Sequence, residues 1–493
     1  MVVFGGIIFY LTATRLFSMC TINIHEVTQY ESSNPLLNLV VIVCFVAILY
    51  GIKVFLSKRK KAVQHLRVIK LVTVLVAVFG TWLVISTQLW PHSDQMSVFA
   101  VASELRSHIY TAWQKGGYMF MYPNQNGDVF FIWLTTKIIG DYNNVGLQFI
   151  NVVSLVGTYL CAYGIYRQQR NGETYSTGIF IGMCAFLPLA MYVTFVYGTL
   201  VGLFLSMAAL LFADRFYRSR KVWNLLLAGV LMILAVLIKS NYLIFMIGML
   251  VILVLDAIGR RNRGQLLRGL AGAAAMIVVY VGVSQGFQMA VTKLTGEKTN
   301  RGMPVAAWIS MGMNESERAS GWFDPALTEG VFSGNQYDIE AADRQAHANL
   351  QTRLQEFQEN PAQMCAFYSR KIASQWNNPE FQGFWIQQNR ESKVYMSGLS
   401  KTVISGENKV LNLYVEYYHL LVLFGVAVFI IFGFNKIKAR DLTFAVIFVG
   451  GFLFHILWEA KCQYTVVYFV LLVPYAVRGY QQLVSCLEVR FHK

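Results

Sequence analysis

Runs of about 20 apolar residues recur from one end of the chain to the other, and they restrict its fold more tightly than any other feature, because inside lipid every backbone N–H and C=O must be satisfied without water. Continuous runs such as Leu71 to Leu89, with no alternation of polar and apolar positions, select helices over a barrel. On this measure spans fall near 2–18, 34–56, 70–89, 144–166, 177–195, 197–213, 222–239, 241–257, 268–288, 410–434, 441–458 and 463–482. The chain therefore reads as an all-α polytopic membrane protein of about 12 transmembrane helices. With 56% hydrophobic and only 14% charged residues over 493, and a mean hydropathy of +0.47, it has too little polar surface for a soluble globule.

The net charge of +15 comes from short basic clusters between the apolar runs, the place of topology signals and anionic headgroup contacts; no nucleic-acid module accompanies it, so no nucleic-acid partner is read. Ser57 to Lys61, Arg167 to Arg170, Asp214 to Lys221, Gly259 to Arg263 and Asn435 to Lys438 all fall on one side, which the positive-inside rule makes cytoplasmic, together with both termini. Val2 to Phe17 has no preceding basic residues and no small-residue cleavage site, so it reads as an uncleaved span. The seven cysteines are scattered, with no CxxC pair and no metal-ligand spacing, and no metal site is read.

Three parts follow: a transmembrane part over 1–289, an external mixed or helical domain over 290–409 with a helix from Ala341 to Gln358, and a C-terminal transmembrane part over 410–493. The loop 90–143 lies outside as well. Its stretches Met96 to Trp113 and Val129 to Ile139 read as two helices in the interface plane joined by the turn Tyr122-Pro123-Asn124-Gln125-Asn126-Gly127, since a single crossing there would invert every later basic loop.

Polar residues at the outer ends of the spans are the candidates for chemistry. Asp94, in Trp90-Pro91-His92-Ser93-Asp94-Gln95, is a lone carboxylate where a run leaves the membrane, either a helix N-cap or a base, and the two are compatible. His92, Gln95, Glu104, Arg106 and His108 follow on the same segment; Glu104 and His108 share a helix face, solvated or turned to a phosphate with Arg106. Lys239, in the tight turn Lys239-Ser240-Asn241, either snorkels to headgroups or binds an anion. Glu459 and Lys461, before Tyr464, either pair with each other or share a polar cavity with Asp94 and Lys239. Tyr122, Asn241, Glu416, His419 and Arg318 complete the set. No Walker loop, GxSxG, HExxH or dinucleotide fingerprint occurs.

With His92-Ser93-Asp94-Gln95 after a span, the Tyr122-Pro123 turn, Lys239-Ser240-Asn241 and Trp458-Glu459-Ala460-Lys461, the chain resembles the GT-C superfamily of polyprenyl-phosphate-dependent membrane glycosyltransferases, the clan of the protein O-mannosyltransferases and the lipid A aminoarabinose transferase, and in particular its Gram-positive cell-envelope branch. The likeness covers most of the transmembrane part and leaves 290–409 poorly matched. It implies a multi-pass protein of a bacterial plasma membrane with its active site extracytoplasmic, Asp94 as general base, and Lys239, Lys461 and Arg106 on the donor phosphate. The partners it implies are a polyprenyl-phosphate-linked sugar, a glycan, teichoic-acid or lipid acceptor, and membrane lipids. Several relatives carry a second acid in an outer loop where this chain reads Phe195-Val196-Tyr197-Gly198-Thr199, so no cofactor is certain, and a divalent cation stays open without a second acidic motif to support it.

Such a site suits transfer from a phosphate leaving group. The acceptor hydroxyl needs a base on the face opposite the departing phosphate, and lysines stabilise the leaving charge; in-line displacement inverts the anomeric centre. A transporter or flippase, or a polymerase or ligase of lipid-linked saccharides, is the alternative reading. Transporters concentrate charge at the bilayer midplane, whereas here it collects at the outer ends.

Overall fold

The computed structural model describes residues 2–58, 64–167, 172–259, 262–298, 301–388, 390–432 and 438–491. Helix α1 (Val2–Phe17) leads into an antiparallel hairpin of β1 (Ser18–Ile22) and β2 (Thr28–Ser32), with Ser18 opposite Ser32 and Ile22 opposite Thr28. This hairpin is the one sheet among the described residues, which are otherwise helical as expected. Its strands lean on a long connection later in the chain, Cys20 N donating to Asn377 O and Thr28 N to Arg318 O.

Two long helices follow, α2 (Pro35–Lys58) and α3 (His65–Thr87). The first large connection then holds α4 (Asp94–Arg106), α5 (Tyr118–Met121) and α6 (Asn126–Ile139). The helix expected to run on to Trp113 stops at Arg106: His108 takes φ +57, and the chain folds back so that Trp113 Nε1 donates to Asn126 Oδ1 at the start of α6, 2.9 Å away. Next come α7 (Asn144–Arg167), α8 (Gly172–Cys184), α9 (Leu187–Met191), α10 (Thr199–Ser219), α11 (Val222–Ile238), α12 (Leu243–Gly259) and α13 (Arg263–Thr295). The second large connection folds as α14 (Val305–Gly312), α15 (Glu329–Gly334), α16 (Ile339–Glu359), α17 (Pro361–Trp376) and α18 (Gly398–Ile404). Helices α19 (Lys409–Phe432), α20 (Thr443–Leu457), α21 (Cys462–Phe469) and α22 (Val473–Phe491) complete the order.

Among the described residues eight helices (α2, α3, α7, α10, α12, α13, α19 and α20) are long and apolar enough to cross a membrane. The pair α8 and α9 makes a ninth if counted as one span, bent by 56° at a break before Pro188. Helices α1 and α11 are shorter apolar helices. The stretch expected to cross last is interrupted by a 3₁₀ turn at Val470–Leu472 before Pro474, whose ring removes a backbone donor. At 33 residues α13 is about 50 Å long, more than a hydrocarbon core requires, so it reaches past the membrane. Large apolar side chains point outward all along these helices, among them Val43, Val74, Val230 and Val278 at 65%, 56%, 55% and 70% exposure. Such a surface is stable only against lipid, and the chain is a multi-pass membrane protein.

Of the basic clusters, Arg59-Lys60-Lys61, Gln168-Gln169-Arg170, Arg260-Arg261 and Asn435-Lys436-Ile437 lie outside the described residues. The cluster from Asp214 to Lys221 is described and knits the α10–α11 turn: Arg218 Nε meets Asp214 at 2.7 Å, and Arg220 pairs with Asp256 of α12.

Helix α16 begins where Asp338 accepts from the amides of Glu340 and Ala341. Helix α17 ties the second large connection to the bundle. Its buried Lys371 donates to the carbonyls of Gly312, Ile456 and Trp458, the last two at 2.9 and 2.8 Å, and so caps the C-terminal ends of α14 and α20 together.

Candidate functional site

A cavity of about 1330 Å³ opens at one end of the bundle, above the ~300–1,000 Å³ of ordinary ligand pockets and roomy enough for two substrates. Every connection at that end contributes to its wall: Glu26 between α1 and α2, Asp94 and Tyr122 between α3 and α7, Tyr197 between α9 and α10, Lys239 between α11 and α12, Arg318 between α13 and α19, Lys461 between α20 and α21. These are the connections that the positive-inside argument puts outside. Asp214 to Lys221 lies at the opposite end, separated from Lys239 by the 17 residues of α11, about 25 Å. One side of the cavity is apolar, with Leu243, Ile244 and Ile247 of α12 beside Phe454 of α20, and it runs out onto the lipid-facing surface, where Ile247 is 51% and Phe454 37% exposed.

Asp94 is the first residue of α4, exposed to the cavity at a helix N-terminus, where the backbone dipole favours a carboxylate. The turn before it is held firmly. Leu89 O accepts from Asn144 Nδ2, Gln148 Nε2 and Arg390 Nη2 at 2.8, 2.8 and 3.1 Å, and Arg390 Nε donates to Trp90 O at 2.9 Å. Ser93 stands at φ +54, and no side chain caps the helix, so the cap reading of Asp94 gives way to a carboxylate turned outward. Its Oδ2 accepts from Tyr197 Oη at 3.4 Å, and the neighbouring Gln95 Oε1 accepts from Val196 N at 3.1 Å.

Lys239 ends α11 and reaches across to the same loop, donating to Tyr197 O at 2.9 Å and Thr199 Oγ1 at 3.2 Å, with its ammonium 4.1 Å from the Tyr197 ring centroid. Beside it lies Asp128 of α6, buried, neither carboxylate oxygen meeting a hydrogen-bond donor. Gly127 makes this approach possible, since a Cβ there would sit 1.6 Å from Leu237 O. Gly198 gives up a side chain for the same reason: a Cβ would come 3.2 Å from Asp128 Oδ1. Burial pushes the Asp128 carboxyl above its ordinary range against the pull of Lys239, and lowers Lys239 against the pull of Asp128 and Asp94.

Lys461 precedes α21, its Nζ 2.5 Å from Glu26 Oε1 and its charge also felt by Glu459. Burial alone lowers Lys461, but the two glutamates and Asp94 outweigh it and hold the ammonium above its ordinary value. Burial lifts the Glu459 carboxyl to about 7, and Tyr464 Oη donates to its Oε2 at 3.2 Å. Asp94, Lys239, Lys461 and Glu459 thus share one field, each of the last three shifted by Asp94.

His92, Gln95, Tyr122, Asn241, Glu459, Tyr464 and Arg318 also line the cavity. Five expected residues do not. Arg106 stands at the far end of the 13-residue α4, about 20 Å from Asp94, and donates to Thr136 O at 3.0 Å with Asp141 3.7 Å away. Glu104 lies outside the cavity wall, and His108, beyond the helix end, shares no helix face with it and meets Tyr110 Oη at 3.2 Å. Glu416 pairs with Arg15 at 3.4 Å, and His419, one turn on, is buried with Nε2 2.9 Å from Trp376 O. The cavity instead gathers residues that the sequence reading passed over: Glu26, Tyr118, Tyr197, Arg301, Glu329 (to which Tyr122 donates) and Arg390, with Asp128 behind Lys239.

A water-accessible carboxylate facing two ammonium groups across a cavity with a lipid-facing wall can accept a proton while an anion on an apolar tail is held opposite. Residues 128–284, roughly a third of the chain, match the model of the dolichyl-phosphate-mannose-protein mannosyltransferase family. No curated protein matches the chain. The family match spans α6 to α13, including Asp128 and Lys239, and it supports a membrane glycosyltransferase of GT-C type.

Proposed function

We propose that the protein transfers a sugar from a polyprenyl-phosphate donor to a cell-envelope glycan or lipid acceptor on the outer face of the membrane. Asp94 takes the acceptor proton, Lys239 and Lys461 hold the donor phosphate, and in-line attack inverts the anomeric centre. The observation that carries this reading is the meeting of Asp94 with Lys239 and Lys461 in one cavity whose apolar side continues onto the lipid-facing surface. A polyprenyl chain lies along Ile244 and Ile247, and its phosphate enters among the polar groups. Lys239 spends two of its three N–H groups on Tyr197 and Thr199, which aims it and leaves the third for the anion. Arg106 drops out of the phosphate site because α4 carries it away. In this reading twelve spans put both termini in the cytoplasm, and 290–409 forms a cover over the outer end of the bundle.

The test is turnover in proteoliposomes given a polyprenyl-phosphate sugar labelled in the sugar, with envelope glycan as acceptor. Release of polyprenyl phosphate and labelled product is expected, falling about 10²–10⁴-fold in Asp94→Asn with no change in thermal unfolding. Movement of intact donor between leaflets without cleavage, or full turnover by Asp94→Asn, would remove the proposal.

A further inference from the structure

The hairpin between α1 and α2 places a carboxylate where a solvated surface loop has no need of one. Glu26, at its tip, is only 4% exposed and lines the cavity. Its Oε1 accepts from Lys461 Nζ at 2.5 Å and Gln382 Nε2 at 3.0 Å, and its Oε2 from Arg318 Nη1 at 2.5 Å. Gln382 Oε1 in turn takes the amide of Gln463 at 3.2 Å, closing a ring of hydrogen bonds around Lys461. Glu26 and Gln382 both sit in left-handed backbone, φ +65 and +58, which non-glycine residues hold only where their surroundings over-determine them.

We propose that Glu26 is the resident counter-ion of Lys461, exchanged for the donor's phosphate when the lipid binds, so that it sets how tightly the lipid phosphate is held. This rests on Lys461 being a phosphate ligand. A largely buried ammonium without an anion is costly, and Glu26 supplies that anion. An incoming phosphate brings negative charge of its own and is repelled by a carboxylate already on Lys461. Glu26 is free to yield because Arg318 and Gln382 continue to satisfy it. Binding then trades one anion for another, which keeps the product lipid phosphate from being trapped on the ammonium.

The experiment is equilibrium binding of a polyprenyl monophosphate and the matching neutral polyprenol to protein in nanodiscs, followed through the fluorescence of the cavity tryptophans Trp308, Trp385 and Trp458. Glu26→Gln is expected to tighten the phosphate about tenfold, the size of a one-unit electrostatic change, and to leave the polyprenol unaltered. Glu26→Asp, which keeps the charge but draws it back from Lys461, tightens the phosphate by a smaller factor and serves if the amide variant does not fold. Weaker or unchanged phosphate binding in these variants overturns the proposal, as does equal tightening of the polyprenol. Wild-type protein that binds the two lipids alike removes the phosphate site itself, and with it the reading of Lys461.

Discussion

In the proposed mechanism the pH dependence of phosphate binding rests on Lys239 and on the buried Asp128 whose charge it feels. Burial lowers the Lys239 ammonium and the Asp128 charge supports it, so the protonated form that binds an anion is lost as pH rises through a value below that of a free lysine. Removing the acidic charge lowers that value further. In Asp128→Asn the alkaline loss of binding of a polyprenyl-phosphate sugar, a diester of fixed charge, should shift to lower pH by about one unit, read from a binding titration against pH. An alkaline limb that stays in place would separate Asp128 from Lys239. The sequence made Asp94, Lys239, Glu459 and Lys461 legible because each interrupts or ends an apolar run, where charge is expensive. It hid Asp128, which looks like an ordinary first-turn acid on α6 until Gly127 is seen against Leu237 O. Glu26 was hidden by the same limit, since nothing local to a short polar connector announces partners beyond residue 300.

Among the elements, the long apolar helices follow from backbone satisfaction in lipid and were readable at once, while their breaks were not. Pro188 and Pro474 mark the interruptions of α8–α9 and α21–α22, and α13 overruns its expected span 268–288 at both ends, starting at Arg263, where Asn262 caps it, and running on to Thr295 before Gly296 takes φ +74. The early stop of α4 at Arg106 is a tertiary effect: Trp113 gains a partner in Asn126 only if the chain turns back. The join between α17 and α20 depends on one side chain. Lys371→Met takes the donor from one buried and two half-buried carbonyls, and at about 1–3 kcal/mol for a buried unsatisfied group a loss of about 1–3 kcal/mol is expected, seen as a lowered unfolding midpoint in detergent. An unchanged midpoint would show that the carbonyls find water and that Lys371 does not fasten the second large connection.

For the molecule as a whole, function follows from the sidedness of the chain. Six connections, from Glu26 near one terminus to Lys461 near the other, reach the same cavity. What sidedness alone did not give was the choice among residues: Arg106, His108 and Glu416 turn to other partners, and Glu104 lies outside the cavity wall. The most direct measurement is the position of polyprenyl phosphate bound to the protein in nanodiscs, determined by electron cryomicroscopy. The phosphate is predicted between Lys239 and Lys461 with Asp94 across from it and the chain running past Ile244 and Ile247. A phosphate resting at the Asp214 to Lys221 end, or outside the cavity altogether, would contradict the account.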